Sequence, residues 1–167
     1  SMGFLAVLRH AAAAAAVVAI AVLWWQVRHE EVRIVETRWA ECSTAYGQTR
    51  ELTLADGTRL WINAGSRVLY PTDFHGKERR VYISGEVCLD VAKDPSRPFC
   101  VSADGAEIRV LGTQFNVKSY LGERELTTTL MSGSIEMRLP GSEEVYRLTP
   151  GKTLQYFRKT GNTEIYT

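Results

Sequence analysis

Three cysteines, three histidines and several closely spaced carboxylates are the side chains of this chain best suited to chemistry. Beyond residue 30 the single histidine is His75, within Pro71-Thr72-Asp73-Phe74-His75-Gly76, which reads as a turn. A hydrolase needs a nucleophile, a base and a group that orients the base. No Gly-x-Ser-x-Gly elbow, His-Glu-x-x-His pair or Gly-x-x-x-x-Gly-Lys-Ser/Thr phosphate cradle occurs. Glu86 and Asp90 are close in sequence, but two carboxylates do acid–base work only where a cleft makes them converge. A solvated loop histidine and surface acids are the plainer reading. The residues therefore predict no enzyme, no catalytic residue and no cofactor.

Cys42, Cys88 and Cys100 lack the Cys-x-x-Cys or Cys/His spacing of a zinc site, so no metal is expected. Cys88 and Cys100 suit a different pairing. If residues 87–91 and 99–101 form a hairpin around Lys93–Arg97, the two cysteines face each other. Their Cβ atoms would then be ~4.5–5.5 Å apart, slightly longer than an unstrained disulfide prefers. A Cys88–Cys100 disulfide and two buried free thiols are the alternatives, and the first would favour an oxidising compartment.

The elements that carry these residues alternate between apolar and polar positions. Leu52 and Leu54 precede Asp56-Gly57, a tight-turn pair, and Leu60 and Ile62 follow it. Later pairs are Val81/Ile83, Val87/Leu89/Val91, Phe99/Val101, Ile108/Val110, Phe115/Val117, Leu126/Leu130, Ile135/Met137 and Leu154/Tyr156, with Val145 between the last two. Gly, Pro and Asn clusters separate them. Short strands at this spacing predict an all-β domain, an antiparallel β-rich sandwich, roll or solenoid-like stack. Residues 32–47 show no clean period and read as a spacer.

Upstream, Ala11 to Trp25 is a run of fifteen residues without charge. At ~1.5 Å per residue it spans roughly 22 Å, and extension to Val27 with snorkelling Arg9 and His10 approaches the ~30 Å hydrocarbon core. Trp24 and Trp25 suit an interface. No small-x-small cleavage site follows before Ala40, which disfavours a signal peptide, and six consecutive alanines offer a core helix little bulk. A transmembrane helix over 11–27 is the expectation. Basic residues flank both ends, so the residues leave orientation open. The chain carries 20 Lys/Arg against 19 Asp/Glu, and its densest basic cluster is only Lys77, Arg79 and Arg80. Phosphate binding concentrates positive charge, so no nucleic-acid role is expected.

From Gly47 to about Arg138 the chain resembles the FecR family of transmembrane anti-sigma regulators. The resemblance rests on Leu54-Ala55-Asp56-Gly57-Thr58-Arg59-Leu60-Trp61-Ile62-Asn63-Ala64-Gly65-Ser66, Leu69-Tyr70-Pro71 and Arg80-Val81-Tyr82-Ile83-Ser84-Gly85-Glu86-Val87. It continues through Val91-Ala92-Lys93-Asp94-Pro95, Arg97-Pro98-Phe99, Val110-Leu111-Gly112-Thr113-Gln114-Phe115-Asn116-Val117 and Gly133-Ser134-Ile135. Family members commonly carry an aromatic residue in place of Cys88 and an aliphatic one in place of Cys100.

The resemblance implies a cytoplasmic segment that holds an extracytoplasmic-function sigma factor, one inner-membrane helix and a periplasmic β domain. That domain would be addressed by the signalling domain of a TonB-dependent outer-membrane transporter. An intramembrane protease would complete the relay. On this plan residues 1–10 are a cytoplasmic remnant with a cloning scar at Ser1-Met2. Residues 11–27 span the membrane, 28–47 link, 48–160 form the β domain, and 161–167 begin a further region. The motif residues Asp56, Gly57, Trp61, Asn63, Gly65, Ser66, Gly85, Glu86, Pro98, Phe99, Gly112, Thr113, Phe115 and Asn116 are expected to be mostly structural. The alternative is a membrane-anchored carbohydrate- or ligand-binding β module, which requires Trp61, Tyr70, Tyr82 and Tyr120 to converge on one surface.

Overall fold

Period-two patterning sorts residues 39–166 into thirteen strands. The structure is a computed structural model that describes residue 3, residues 15–25 and residues 37–167. The strands are β1 (Trp39–Ser43), β2 (Arg50–Thr53), β3 (Arg59–Ile62), β4 (Arg67–Pro71), β5 (Arg79–Asp90), β6 (Phe99–Ala103), β7 (Ala106–Val110), β8 (Gln114–Ser119), β9 (Glu125–Ser132), β10 (Ile135–Arg138), β11 (Val145–Leu148), β12 (Thr153–Phe157) and β13 (Thr163–Tyr166). They form two leaves joined through one strand. The first leaf runs β1-β4-β5-β6-β7-β10-β11 and the second β2-β3-β5-β8-β9-β12-β13. Each leaf has edge strands: β1 and β11 in the first, β2 and β13 in the second.

β5 serves both leaves because it changes partners at Gly85. Its first half pairs with β4 and β6, Val68 facing Ile83 and Val81 facing Val101. Its second half pairs with β3 and β8, Leu60 facing Leu89 and Val87 facing Val117. Gly85 sits at φ +105°, and a Cβ there would lie 2.6 Å from Ser66 Cα. Only glycine accepts both the angle and the contact. Val81, Ile83, Val87 and Leu89 all point into one core with Phe99, Phe115, Leu60, Ile108, Leu130 and Leu154. Burying each such side chain contributes roughly 1.5–3 kcal/mol.

Three expectations are corrected here. β5 and β6 pair in parallel, not as an antiparallel hairpin, because β5 ends in the second leaf and residues 91–98 carry the chain back to the first. Within the expected spacer, Trp39–Ser43 forms β1 and pairs with β4, Cys42 facing Val68 across the ladder. Thr163–Tyr166 pairs with β12, so the β domain extends past residue 160.

The chain divides into residues 1–35 and 36–167. Residues 15–25 are helical. Among the described residues no helix is long and apolar enough to cross a membrane. The span expected over 11–27 lies partly outside the described residues.

Candidate interaction site

The Asp56-Gly57 turn does more than reverse the chain. Asp56 Oδ1 accepts from Thr58 N at 3.0 Å and Oδ2 from Thr58 Oγ1 at 2.8 Å. Oδ2 also accepts from Arg79 Nη1 at 2.7 Å. The Arg79 side chain is 0% exposed and that of Asp56 6%. Arg79 donates further to Arg97 O (2.9 Å, Nε) and Ala92 O (2.8 Å, Nη1), and its guanidinium carbon lies 5.4 Å from the Phe99 ring centroid. Thr58 Oγ1 accepts from Ala92 N. One buried cation thus ties the β2–β3 turn to both ends of the 91–98 crossover. Low dielectric strengthens each bond and makes each unpaired group costly. Sequence reading placed Arg79 in a small basic cluster and missed this role. Its position beside an inward-pointing Val81 was the available signal, because a residue two places away on a strand shares its face.

Pro98 and Phe99 are buried at the end of that crossover, with Phe74 edge-on to Phe99 at 6.0 Å. Gly112 lets Lys93 pass close by, since a Cβ there would meet Lys93 Cα at 2.8 Å. Thr113 is buried and donates to Ser134 O, and Phe115 is fully enclosed. These motif residues hold the leaves together.

A second group gathers at the surface. Asn63 Nδ2 donates to Glu86 Oε2 at 2.8 Å, and Asn116 Nδ2 donates to Glu86 Oε1 at 3.0 Å. Behind them Ser66 Oγ accepts from Glu86 N, Thr44 Oγ1 donates to Asn63 O, and Tyr120 OH donates to Ala64 O. Tyr46 packs against the bend at Gly65, 3.1 Å from where a Cβ would stand. β3, β5 and β8 place Trp61, Cys88 and Asn116 in one row on the outer face of the second leaf. Cys88 is the smallest of the three, so the surface dips there. Thr49, Trp61, Ile62, Asn63, Glu86, Cys88 and Asn116 line a slot of about 340 Å³. The structure thus brings Trp61, Asn63, Glu86, Cys88 and Asn116 together.

Of the two alternatives for Cys88 and Cys100 the structure holds the free thiols, and Cys42 is free as well. Cys100 faces Arg80 of β5, eight residues before Cys88 on the same strand. At ~3.3 Å per residue that is far more chain than a disulfide, with Cα atoms within roughly 7 Å, can bridge. Burial pushes the Cys100 thiol up to about 11, aided by Glu78, onto whose carboxylate it donates at 3.5 Å. Around Cys100 the outer face of the first leaf carries alternating charge. Arg80 joins Glu78 (2.7 Å) and Glu107, and Arg147 joins Glu136 (3.0 Å).

The four aromatic residues that a sugar platform requires do not converge. Trp61 lies on the outer face of the second leaf, Tyr82 on that of the first beside Trp39, Tyr70 packs against the core, and Tyr120 turns its hydroxyl onto Ala64 O. His75 is exposed, and among the described residues no group of His, Cys, Asp or Glu could hold a metal ion.

The described residues 37–167 thus form a two-leaved β roll around one core, with polar side chains on its outer faces. The FecR protein family matches residues 40–136. This chain belongs to the FecR family. Two crystal structures from Parabacteroides distasonis ATCC 8503, each described as a candidate anti-sigma factor, are similar to it. One is 32% identical with a TM-score of 0.75, covering 78% of this chain and 60% of its own. The other is 33% identical with a TM-score of 0.74, covering 77% and 59%. The chain therefore spans about 60% of these relatives' length. No curated protein matches it.

Proposed function

We propose that this chain is part of a single-pass anti-sigma regulator. Its β roll stands in the periplasm of a Gram-negative bacterium and its N-terminus faces the cytoplasm. A signalling domain of a TonB-dependent outer-membrane transporter addresses the periplasmic part. An intramembrane protease then frees an extracytoplasmic-function sigma factor held by the cytoplasmic segment. The reading assigns the chain no reaction and no cofactor.

The observation that carries it is the likeness, over more than three-quarters of the chain, to structures described as candidate anti-sigma factors. The fifteen-residue apolar run supports the anchor. The rigid roll supports a relay, because loops on a stable frame are suited to recognition.

The test is co-expression of the whole regulator with the sigma factors of its own genome. Affinity purification should recover one of them, and a promoter reporter for that factor should fall when the regulator is present. Recovery of none, with the reporter unchanged, overturns the reading. Reporter enzymes fused after residue 167 test topology. A fusion active only in the cytoplasm overturns the periplasmic placement.

A further inference from the structure

The slot beside Trp61 has an uncompensated charge at its edge. Glu86 accepts one amide N–H on each oxygen, from Asn63 and Asn116, which satisfies hydrogen bonding without neutralising it. Its cross-strand neighbour on β8 is Lys118. Lys118 turns instead to Glu123, Nζ to Oε2 3.2 Å, and lies 5.8 Å from the Tyr120 ring centroid. Among the described residues no cation comes within 4 Å of the Glu86 carboxylate. Asp90, farther along β5, is already taken by Arg59 at 2.6 Å.

Arg59 also defines Trp61. Pinned by Asp90, its guanidinium carbon lies 5.2 Å from the Trp61 ring centroid, yet Arg59 does not line the slot. Trp61 thus carries one cation at its ring and also borders the slot. An indole face is the strongest aromatic partner for a cation. Cys88 forms a floor that leaves room above it, and burial together with the Asp90 and Glu86 charges raises its thiol pKa. The slot therefore combines negative potential, an aromatic wall and carboxylate lone pairs still free to accept.

We propose that this slot receives one arginine side chain from a partner protein, stacked on Trp61 and bonded to Glu86. Arginine fits better than lysine, because a planar guanidinium stacks on indole while its forked donors reach a carboxylate. Residues 63 and 116 would flank the fork with amide groups. This assignment stands on the slot's own geometry and does not depend on the sigma-factor reading.

The test is an NMR titration of the whole chain, following the Trp61 indole N–H, assigned by its loss in Trp61→Phe. The probe is N-acetyl-arginine methylamide, with the neutral isostere N-acetyl-citrulline methylamide and the disaccharide N,N′-diacetylchitobiose as comparisons. The arginine probe should shift the resonance saturably with a dissociation constant on the order of millimolar, as suits so small a ligand. Citrulline should bind about tenfold more weakly or worse, the loss of one charge-assisted contact. Glu86→Gln keeps the side-chain shape and should weaken arginine similarly. Cys88→Phe fills the slot from its floor and should abolish the shift. Far-UV circular dichroism checks both folds, and if one variant does not fold the other decides. Equal binding of arginine and citrulline, no saturable arginine shift, or saturation by chitobiose alone each overturns the proposal.

Discussion

Arg79 Nη1 stands 2.7 Å from Asp56 Oδ2 in a pair almost wholly removed from solvent. The contact links a hairpin turn to a strand twenty-three residues later, and through Ala92 and Arg97 to the crossover beyond. Burying two charges is costly, and the attraction offsets that cost only while both partners and their hydrogen bonds remain. Asp56→Ala leaves the guanidinium enclosed without its counter-charge. It should cost about 3–5 kcal/mol, a large share of a domain's ~5–15 kcal/mol stability. Replacing both residues, as Asp56→Ala with Arg79→Met, should recover at least half of that. Urea denaturation of the two variants is the measurement. A double variant no more stable than the single one would show that the pair does not act as a unit.

Gly85 should tolerate no side chain. Gly85→Ala forces a Cβ to within 2.6 Å of Ser66 Cα at φ +105°. Gly57 has a similar angle, +85°, but nothing within 4 Å of a Cβ. Gly57→Ala should therefore cost about 1–2 kcal/mol, the backbone strain alone. Gly85→Ala should cost clearly more or prevent folding, read from soluble yield and thermal unfolding.

Asp94 orders the crossover. Its Oδ1 accepts from Ser96 Oγ at 2.6 Å and its Oδ2 from Arg97 Nε at 2.9 Å. These bonds, Ser96 first and Arg97 next, hold its carboxyl down to about 2, against an ordinary 3.8. A depressed folded-state value means the unfolded chain takes up the proton first. The stabilisation is complete above about pH 4 and is lost as pH falls toward 2. Carboxyl-carbon NMR should show Asp94 still ionised at pH 3, and Asp94→Asn should remove this part of the acid sensitivity. An Asp94 midpoint near 3.8 would contradict the arrangement.

The thiols should differ in access. Cys42 and Cys100 are buried and Cys88 only half so. Burial raises the Cys88 and Cys100 values, Cys100 to about 11, so little thiolate exists at pH 8. Native alkylation at pH 8 should be slow and should label Cys88 first, with Cys42 and Cys100 labelled on unfolding. Intact mass under non-reducing conditions should show three free thiols. A mass two units lower would restore the disulfide.

Alternation within the chain determined most of the strands and the core. Leu60, Ile62, Val87, Leu89, Phe115 and Val117 repeat every second residue, and a strand's pleat turns such a repeat into one buried face whatever its neighbours are. The Asp-Gly and Pro-Gly pairs likewise marked turns through local backbone preference. Of the strands missed, β1 and β13 are edge strands with little burial, and β4 holds Val68-Leu69-Tyr70-Pro71, apolar throughout and so without alternation.

Pairing was decided only in three dimensions. Val87–Val91 and Phe99–Val101 look like a hairpin, because nothing local tells residues 91–98 to cross between leaves and not to turn. That choice belongs to β5, which serves both leaves through Gly85, and to Arg79, which anchors the crossover from the opposite direction in sequence. The same holds for the slot. Trp61, Cys88 and Asn116 stand far apart in the chain, and only ladder register sets a small residue between two larger ones. A sequence records which face a side chain takes, because that depends on its own strand. What it lies beside depends on the register of other strands, which the whole fold fixes at once.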